Sequence, residues 1–135
     1  MDMTALGRHF IAELTGCDAA RLSDLDQVTR AMLAAAEASG ATIVTHTFHH
    51  FSPLGVSGMV IIAESHLAIH TWPEHRFAAV DFFSCINRVE PERALQLLQE
   101  RLGAEHLEVL HLERGPLSVC DQGTTLVGQQ GLLDR

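Results

Sequence analysis

The chain has 135 residues, 47% of them hydrophobic and 19% charged, a balance that excludes a wholly disordered chain and fits one globular domain. Its formal net charge of -8 excludes the basic stripe of a nucleic-acid binder, and no apolar run reaches membrane-spanning length. All nine Lys+Arg residues are arginines, which excludes catalysis through a lysine Schiff base, including the ordinary pyridoxal-phosphate mechanisms, but leaves open a serine converted to a carbonyl.

The opening MDMTALGRHF has no basic region followed by a long apolar run, so no signal peptide is expected. RHFIAELTG, residues 8–16, predicts a first strand. LSDLDQVTRAMLAAAEASG predicts a helix, with Leu25, Val28, Met32 and Ala35 as its apolar stripe, Ser23 as N-cap and Gly40 as terminator. Thr42–Phe51 is β-branched and alternating, a second strand. SPLGVSG is a turn by its Pro and Gly content. Met59–Ala63 and His66–Trp72 are strand-like runs, the latter closed by Pro73, and Phe77–Phe83 is a further strand. Pro91 opens a second helix that buries Ala94, Leu95, Leu98 and Leu102 and ends at Gly103. His106–Leu112 predicts the last strand, with Leu107, Val109 and Leu112 inward.

Condensed, the order reads β-α-β-β-β-α-β. The expected class is α+β: a two-layer α/β sandwich, an antiparallel sheet with two helices on one face. The other face stays partly apolar and invites a second copy. Residues 1–115 form the domain, and the Gly/Gln-rich stretch 116–135 reads as a loose tail.

Cys17, Cys85 and Cys120 are odd in number and lack a CxxC pair, which favours a reducing cytoplasm over a disulfide framework. Cys17 and Cys120 read as small buried apolar residues. Cys85, just past a strand end, is placed to donate a proton. His46, His49, His50, His66 and His111 do not make a closed metal-ligand pattern, so no metal is expected.

Glu64-Ser65 lies between two strand-like runs. By itself it is an ordinary strand end. A serine hydroxyl held against its own preceding carbonyl can, however, attack it, turn the peptide into an ester, and eliminate to a pyruvoyl group. His70 lies five residues on, so strand parity sets it on the opposite face from Ser65 unless the chain bends. It reads either as a satisfied polar strand residue or as an acid or base for that chemistry. Phe51 and Trp72 read as core aromatics or as a stacking slot for a planar ring, and Glu74 as an exposed carboxylate or a partner for ribose hydroxyls.

FSPLGVSG, then AESHLAIHTWPE, then AAVDFFSC resemble the small prokaryotic, pyruvoyl-dependent S-adenosylmethionine decarboxylases, and GRHFIAELTGCD is similar to their N-terminal segment. The resemblance spans about Leu6 to Gly115. It implies self-cleavage between Glu64 and Ser65, a pyruvoyl cofactor derived from Ser65, His70 as the processing histidine, Cys85 as proton donor and Ser57 as an assisting serine. It further implies that Phe51 and Trp72 hold adenine and Glu74 the ribose, on a sandwich that forms a homodimer with S-adenosylmethionine as substrate. The decarboxylated product then supplies aminopropyl groups for spermidine synthesis. Ile86 stands where the family has glycine after the catalytic cysteine, and His75-Arg76-Phe77 replaces a common aromatic-glycine step. These departures bear on substrate choice, so decarboxylation of arginine or ornithine is the alternative within the fold. A binding or regulatory homologue that never processes is the alternative outside it.

Overall fold

The computed structural model describes residues 5–85 and 88–116. In chain order it contains β1 (Ala5–Thr15), α1 (Ala19–Leu22), α2 (Leu25–Ala38), β2 (Ile43–His50), β3 (Val56–Ile62), β4 (Ser65–Trp72), a 3-10 turn (Pro73–His75), β5 (Phe77–Cys85), α3 (Pro91–Arg101) and β6 (His106–Pro116). The six strands form one antiparallel sheet in the order β2-β3-β4-β5-β1-β6. Helices α2 and α3 pack on each other and on one face, giving the expected two-layer α+β sandwich. No helix among the described residues is long and apolar enough to cross a membrane.

The alternation of each strand builds the core. Leu14, Val60, Leu67, Ile69 and Phe82 point toward the helices and meet Val28, Met32, Ala35, Leu95 and Leu98. Burial of these side chains, roughly 1.5–3 kcal/mol for each one larger than alanine, is what holds the layers together. Asp24 starts α2 by accepting a hydrogen bond from Gln27 N at 3.1 Å.

Four expectations need correction. The condensed order is one strand short, because four strands lie between the long helices, not three. All four runs named between those helices form strands, and the two-residue reversal at Ala63–Glu64 keeps β3 and β4 separate. Ser23 is not the N-cap of the long helix. It closes α1, an extra turn capped by Asp18, and Asp24 takes the cap of α2. Ser57 belongs to β3 and not to the preceding turn. Finally, Leu112 cannot face inward with Leu107, since their offset is odd; Val109 does share the helix side but is 46% exposed, because α3 does not reach over the edge strand. The stretch read as a tail lies, from residue 117 on, outside the described residues, as do Cys120 and Ile86.

The sheet's other face is uncovered. It carries Met59, Ile61, Phe83, Ile11 and Leu110 in adjacent rows, together with a polar cluster around His9. His9 Nδ1 accepts a hydrogen bond from the Arg114 guanidinium at 3.2 Å, which also lies over the Phe83 ring. Asp81 Oδ1 stands 3.8 Å from His9 Nε2. Burial holds the His9 pKa below its ordinary value; Asp81 works against this, and Arg114 and His66 add to it. The folded state therefore binds this proton less readily than the unfolded chain. His9 contributes stability above its unfolded value near 6.5, and that contribution is lost as pH falls from there through the lowered folded value. Urea denaturation at pH 7.5 and 5.5 checks this: the acid loss of stability in the wild type is expected to shrink in His9→Gln, and an unchanged loss would clear His9 of the effect.

Candidate active site

The Glu64–Ser65 link sits in the β3–β4 hairpin turn and is held on three sides. The Glu64 carbonyl accepts the Cys85 N–H at 3.1 Å, its carboxylate accepts the Thr42 N–H at 3.1 Å, and Ala63 N–H donates to the Thr42 carbonyl at 2.8 Å. Ser65 itself has φ +149°, outside the regions open to residues with a side chain. That is local backbone strain, of the order of 1–3 kcal/mol, placed at one peptide bond. Cys85 is exposed at the end of β5 on the uncovered face. Its neighbour across the ladder, Gly7, has no room for a side chain, since a Cβ there would stand 2.9 Å from the Phe83 ring.

A second group lies at the opposite end of β4. Ser57 and His70 face each other across β3 and β4, with Ser57 Oγ 2.8 Å from His70 Nδ1. The His70 and Trp72 rings are 6.4 Å apart, and Trp72 leans on Phe77 at 5.4 Å. Phe51, Ser57, His70, Trp72 and Glu74 line one cleft of about 260 Å³. Both candidate stacking rings are open to solvent, Phe51 at 47% and Trp72 at 41% exposure, so neither is a core aromatic. Glu74 sits in the 3-10 turn that Pro73 starts.

Two supports hold this cleft in shape. Phe51 N–H donates to the Gly55 carbonyl at 2.8 Å, closing the β2–β3 loop, and Gly55 has φ +105°, a conformation that favours glycine. Thr71 Oγ1 accepts the Val56 N–H and donates to the Leu22 carbonyl, both at 2.9 Å, which ties β4 to α1 beneath the cleft.

Ser57, His70, Phe51, Trp72 and Glu74 thus come together, and Glu64, Ser65 and Cys85 come together, but the two groups do not meet. Strand β4 runs unbroken from Ser65 to Trp72, so Ser65 and His70 are separated by about 16 Å of extended chain. Cys17 is the inert residue expected: burial pushes its thiol up to about 11. Among the described residues no three His, Cys, Asp or Glu side chains converge as metal ligands, and His111 stacks on Phe10 at 4.5 Å. Thr42, Thr71 and His9 escaped the sequence reading. Their partners lie on other strands or helices, and nothing local to them signals those contacts.

Comparison with known proteins bears on this arrangement. A sequence model of the family described as S-adenosylmethionine decarboxylase matches residues 8–115. A protein of Acidithiobacillus ferrooxidans named S-adenosylmethionine decarboxylase proenzyme is 53% identical over 117 residues, covering 87% of this chain and 88% of the relative. A protein of the same name from Thermotoga maritima is 50% identical over 113 residues, covering 84% of this chain and 87% of the relative. The crystal structure of the adenosylmethionine decarboxylase from Aquifex aeolicus superposes with a TM-score of 0.79 at 30% identity, over 85% of this chain and 95% of that one. On the match along residues 8–115, the chain belongs to the S-adenosylmethionine decarboxylase family.

Proposed function

We propose that this chain is a precursor that cuts itself between Glu64 and Ser65, and that the cut protein decarboxylates S-adenosylmethionine, supplying aminopropyl groups for spermidine synthesis from a reducing cytoplasm. The catalytic unit is residues 1–115. The observation that carries this reading is the pinned and strained Glu64–Ser65 link, in a chain whose relatives are named proenzymes.

The cleavage chemistry follows from the contacts. Ser65 Oγ attacks the Glu64 carbonyl carbon, and charge develops on the oxygen that Cys85 N–H already holds at 3.1 Å, a preorganised donor for that oxyanion. The C–N bond breaks, the proton passes to the Ser65 nitrogen, and an ester links the halves. Removal of the Ser65 Cα proton then expels the Glu64 carboxylate. Hydration releases ammonia and leaves the pyruvoyl group. That carbonyl is the electron sink a lysine-free chain otherwise lacks.

In turnover, Phe51 and Trp72 stack on the adenine, Glu74 accepts hydrogen bonds from the ribose hydroxyls, and Ser57 holds the His70 ring. Cys85 returns a proton to the α-carbon. The two separated groups call for a homodimer. Two copies packed with uncovered faces together, about a two-fold axis crossing the strands, bring the Ser65 end of one sheet to the His70 end of the other. His70 of the partner subunit then removes the Cα proton in self-cleavage.

Denaturing mass spectrometry of the purified chain is expected to show two fragments meeting at Glu64/Ser65, the second blocked at its start. Ser65→Ala should remain whole. Cys85→Ala should cleave at least in part yet turn over poorly, by about 10²-fold or more if the thiol is the proton donor; full activity there would remove its role. Carbon dioxide release from carboxyl-labelled S-adenosylmethionine, arginine and ornithine checks the substrate, and release from either of the latter two alone would overturn the assignment. Co-expression of Ser65→Ala with His70→Ala tests the shared site. Each variant alone stays whole, whereas the mixed dimer should cleave its His70→Ala chain; no cleavage in a confirmed mixed dimer would refute the two-copy arrangement.

A further inference from the structure

Three side-chain polar atoms among the described residues are buried without a hydrogen-bond partner: Arg8 Nε, His9 Nε2 and Ser84 Oγ. Native interiors leave few such atoms, and each one asks for an explanation. Ser84 lies on β5, which pairs with β4, and Arg8 and His9 lie on β1, the next strand over. Ser84 is directly opposite Ser65 across β4 and β5, and Arg8 is directly opposite Ser84 across β5 and β1. The bond from Cys85 N–H to the Glu64 carbonyl marks Glu64/Cys85 as a hydrogen-bonded position of the ladder. Ser65/Ser84 is then the adjacent, non-hydrogen-bonded position, where facing Cα atoms approach to about 4.5 Å and side chains are closest.

Ser84 differs from the other buried hydroxyls. Three polar residues are buried among those described: Ser39, Thr71 and Ser84. Ser39 Oγ donates to the Ala36 carbonyl at 2.7 Å, and Thr71 Oγ1 both donates and accepts. Ser84, with no exposure at all, does neither. In the resting fold its hydroxyl is a liability, and an alanine would pack as well without an orphaned polar atom.

We infer that Ser84 is a positioning residue for the self-cleavage: its Oγ accepts a hydrogen bond from the Ser65 hydroxyl and holds that oxygen against the Glu64 carbonyl carbon. This rests on the reading of Glu64–Ser65 as the bond that is cut. In the step it assists, the Ser65 Oγ–carbon bond forms, the Glu64–Ser65 C–N bond breaks, and the serine proton ends on the Ser65 nitrogen. Ser84 finishes with the proton it began with. It works from the helix side of the sheet, leaving the uncovered side to the groups that act on the Cα proton.

The test follows full-length chains made by cell-free synthesis, sampled over time by denaturing mass spectrometry across a range of pH. Ser84→Ala is expected to form fragments roughly tenfold more slowly than wild type, the worth of one ordinary hydrogen bond, with the inflections of the pH profile unmoved. Ser84→Thr keeps the hydroxyl and should recover most of the rate. In a Ser65→Ala background, where nothing cleaves, adding Ser84→Ala should leave the melting temperature equal or higher, whereas a merely structural serine would lower it. A Ser84→Ala chain that cleaves as fast as wild type overturns the inference. So does a Ser84→Thr chain as slow as Ser84→Ala, or a lost rate accompanied by a lower melting temperature. A wild-type chain that stays whole would sink the cleavage reading itself and take this inference with it; a wild type that cleaves beside an equally fast Ser84→Ala would sink this inference alone.

Discussion

The pairing of β4 with β5 sets everything else in this molecule. One backbone hydrogen bond at its end, from Cys85 N–H to the Glu64 carbonyl, polarises the carbonyl that the proposed self-cleavage attacks. The same register fixes which side chains stand near it: Ser84 opposite Ser65, and Cys85 on the uncovered face one residue further. A one-residue slip would turn every one of these side chains to the wrong face. The apolar residues beneath, Phe82 against Leu67 and Val80 against Ile69, are what forbid that slip. Core packing and site geometry are therefore one constraint.

Much of the fold could be read from the chain. Period-two runs and the stripe of Leu25, Val28, Met32 and Ala35 placed the strands and the long helix. Parity alone already set Ser65 and His70 on different faces. What could not be read is whatever depends on a partner far along the chain. The Ser57–His70 contact is an example: once the reversal is known to be Ala63–Glu64, counting back along β3 and forward along β4 gives that pair. Ser57's place in a strand was hidden because the Pro and Gly content of SPLGVSG argues for a turn through Gly58, while the ladder with β2 and β4 takes up the chain from Val56 onward. Thr71 was hidden differently. It sits in an alternating strand like any other threonine, and only the arrival of α1 at Leu22 gives its hydroxyl a task. Ser84 offers no local sign whatever; its interest arises from an absent hydrogen bond and from the register that puts Ser65 across from it.

The polar atoms left unpaired near the hairpin fit a general pattern. A core that satisfies every group is most stable, and departures collect where function asks for something the resting state does not need. Arg8, Ser84 and the strained Ser65 occupy one row of the sheet, in a layer that is otherwise apolar or fully bonded. The cleft at the other end of β4 shows no such deficit: Ser57 and His70 bond each other, and Thr71 is doubly satisfied. On the proposed function, one end reacts once with itself and the other binds a ligand repeatedly.

Strand order explains how such a chain can lose a peptide bond and remain one body. A cut after Glu64 divides the strands into β1, β2 and β3 on one fragment and β4, β5 and β6 on the other. In the sheet they do not segregate. The order β2-β3-β4-β5-β1-β6 sets β1 between β5 and β6, so three of the five ladders join one fragment to the other. Separation would require breaking β3 from β4 and withdrawing β1 from both neighbours, together with the core residues Phe10, Ala12 and Leu14 that β1 buries. The hairpin turn, by contrast, contributes only its own closure, since each strand it connects is held by another neighbour. Cutting there releases the strain at Ser65 and costs the sheet no ladder. The proposed break falls where the fold depends least on chain continuity and where the reaction most needs a free end.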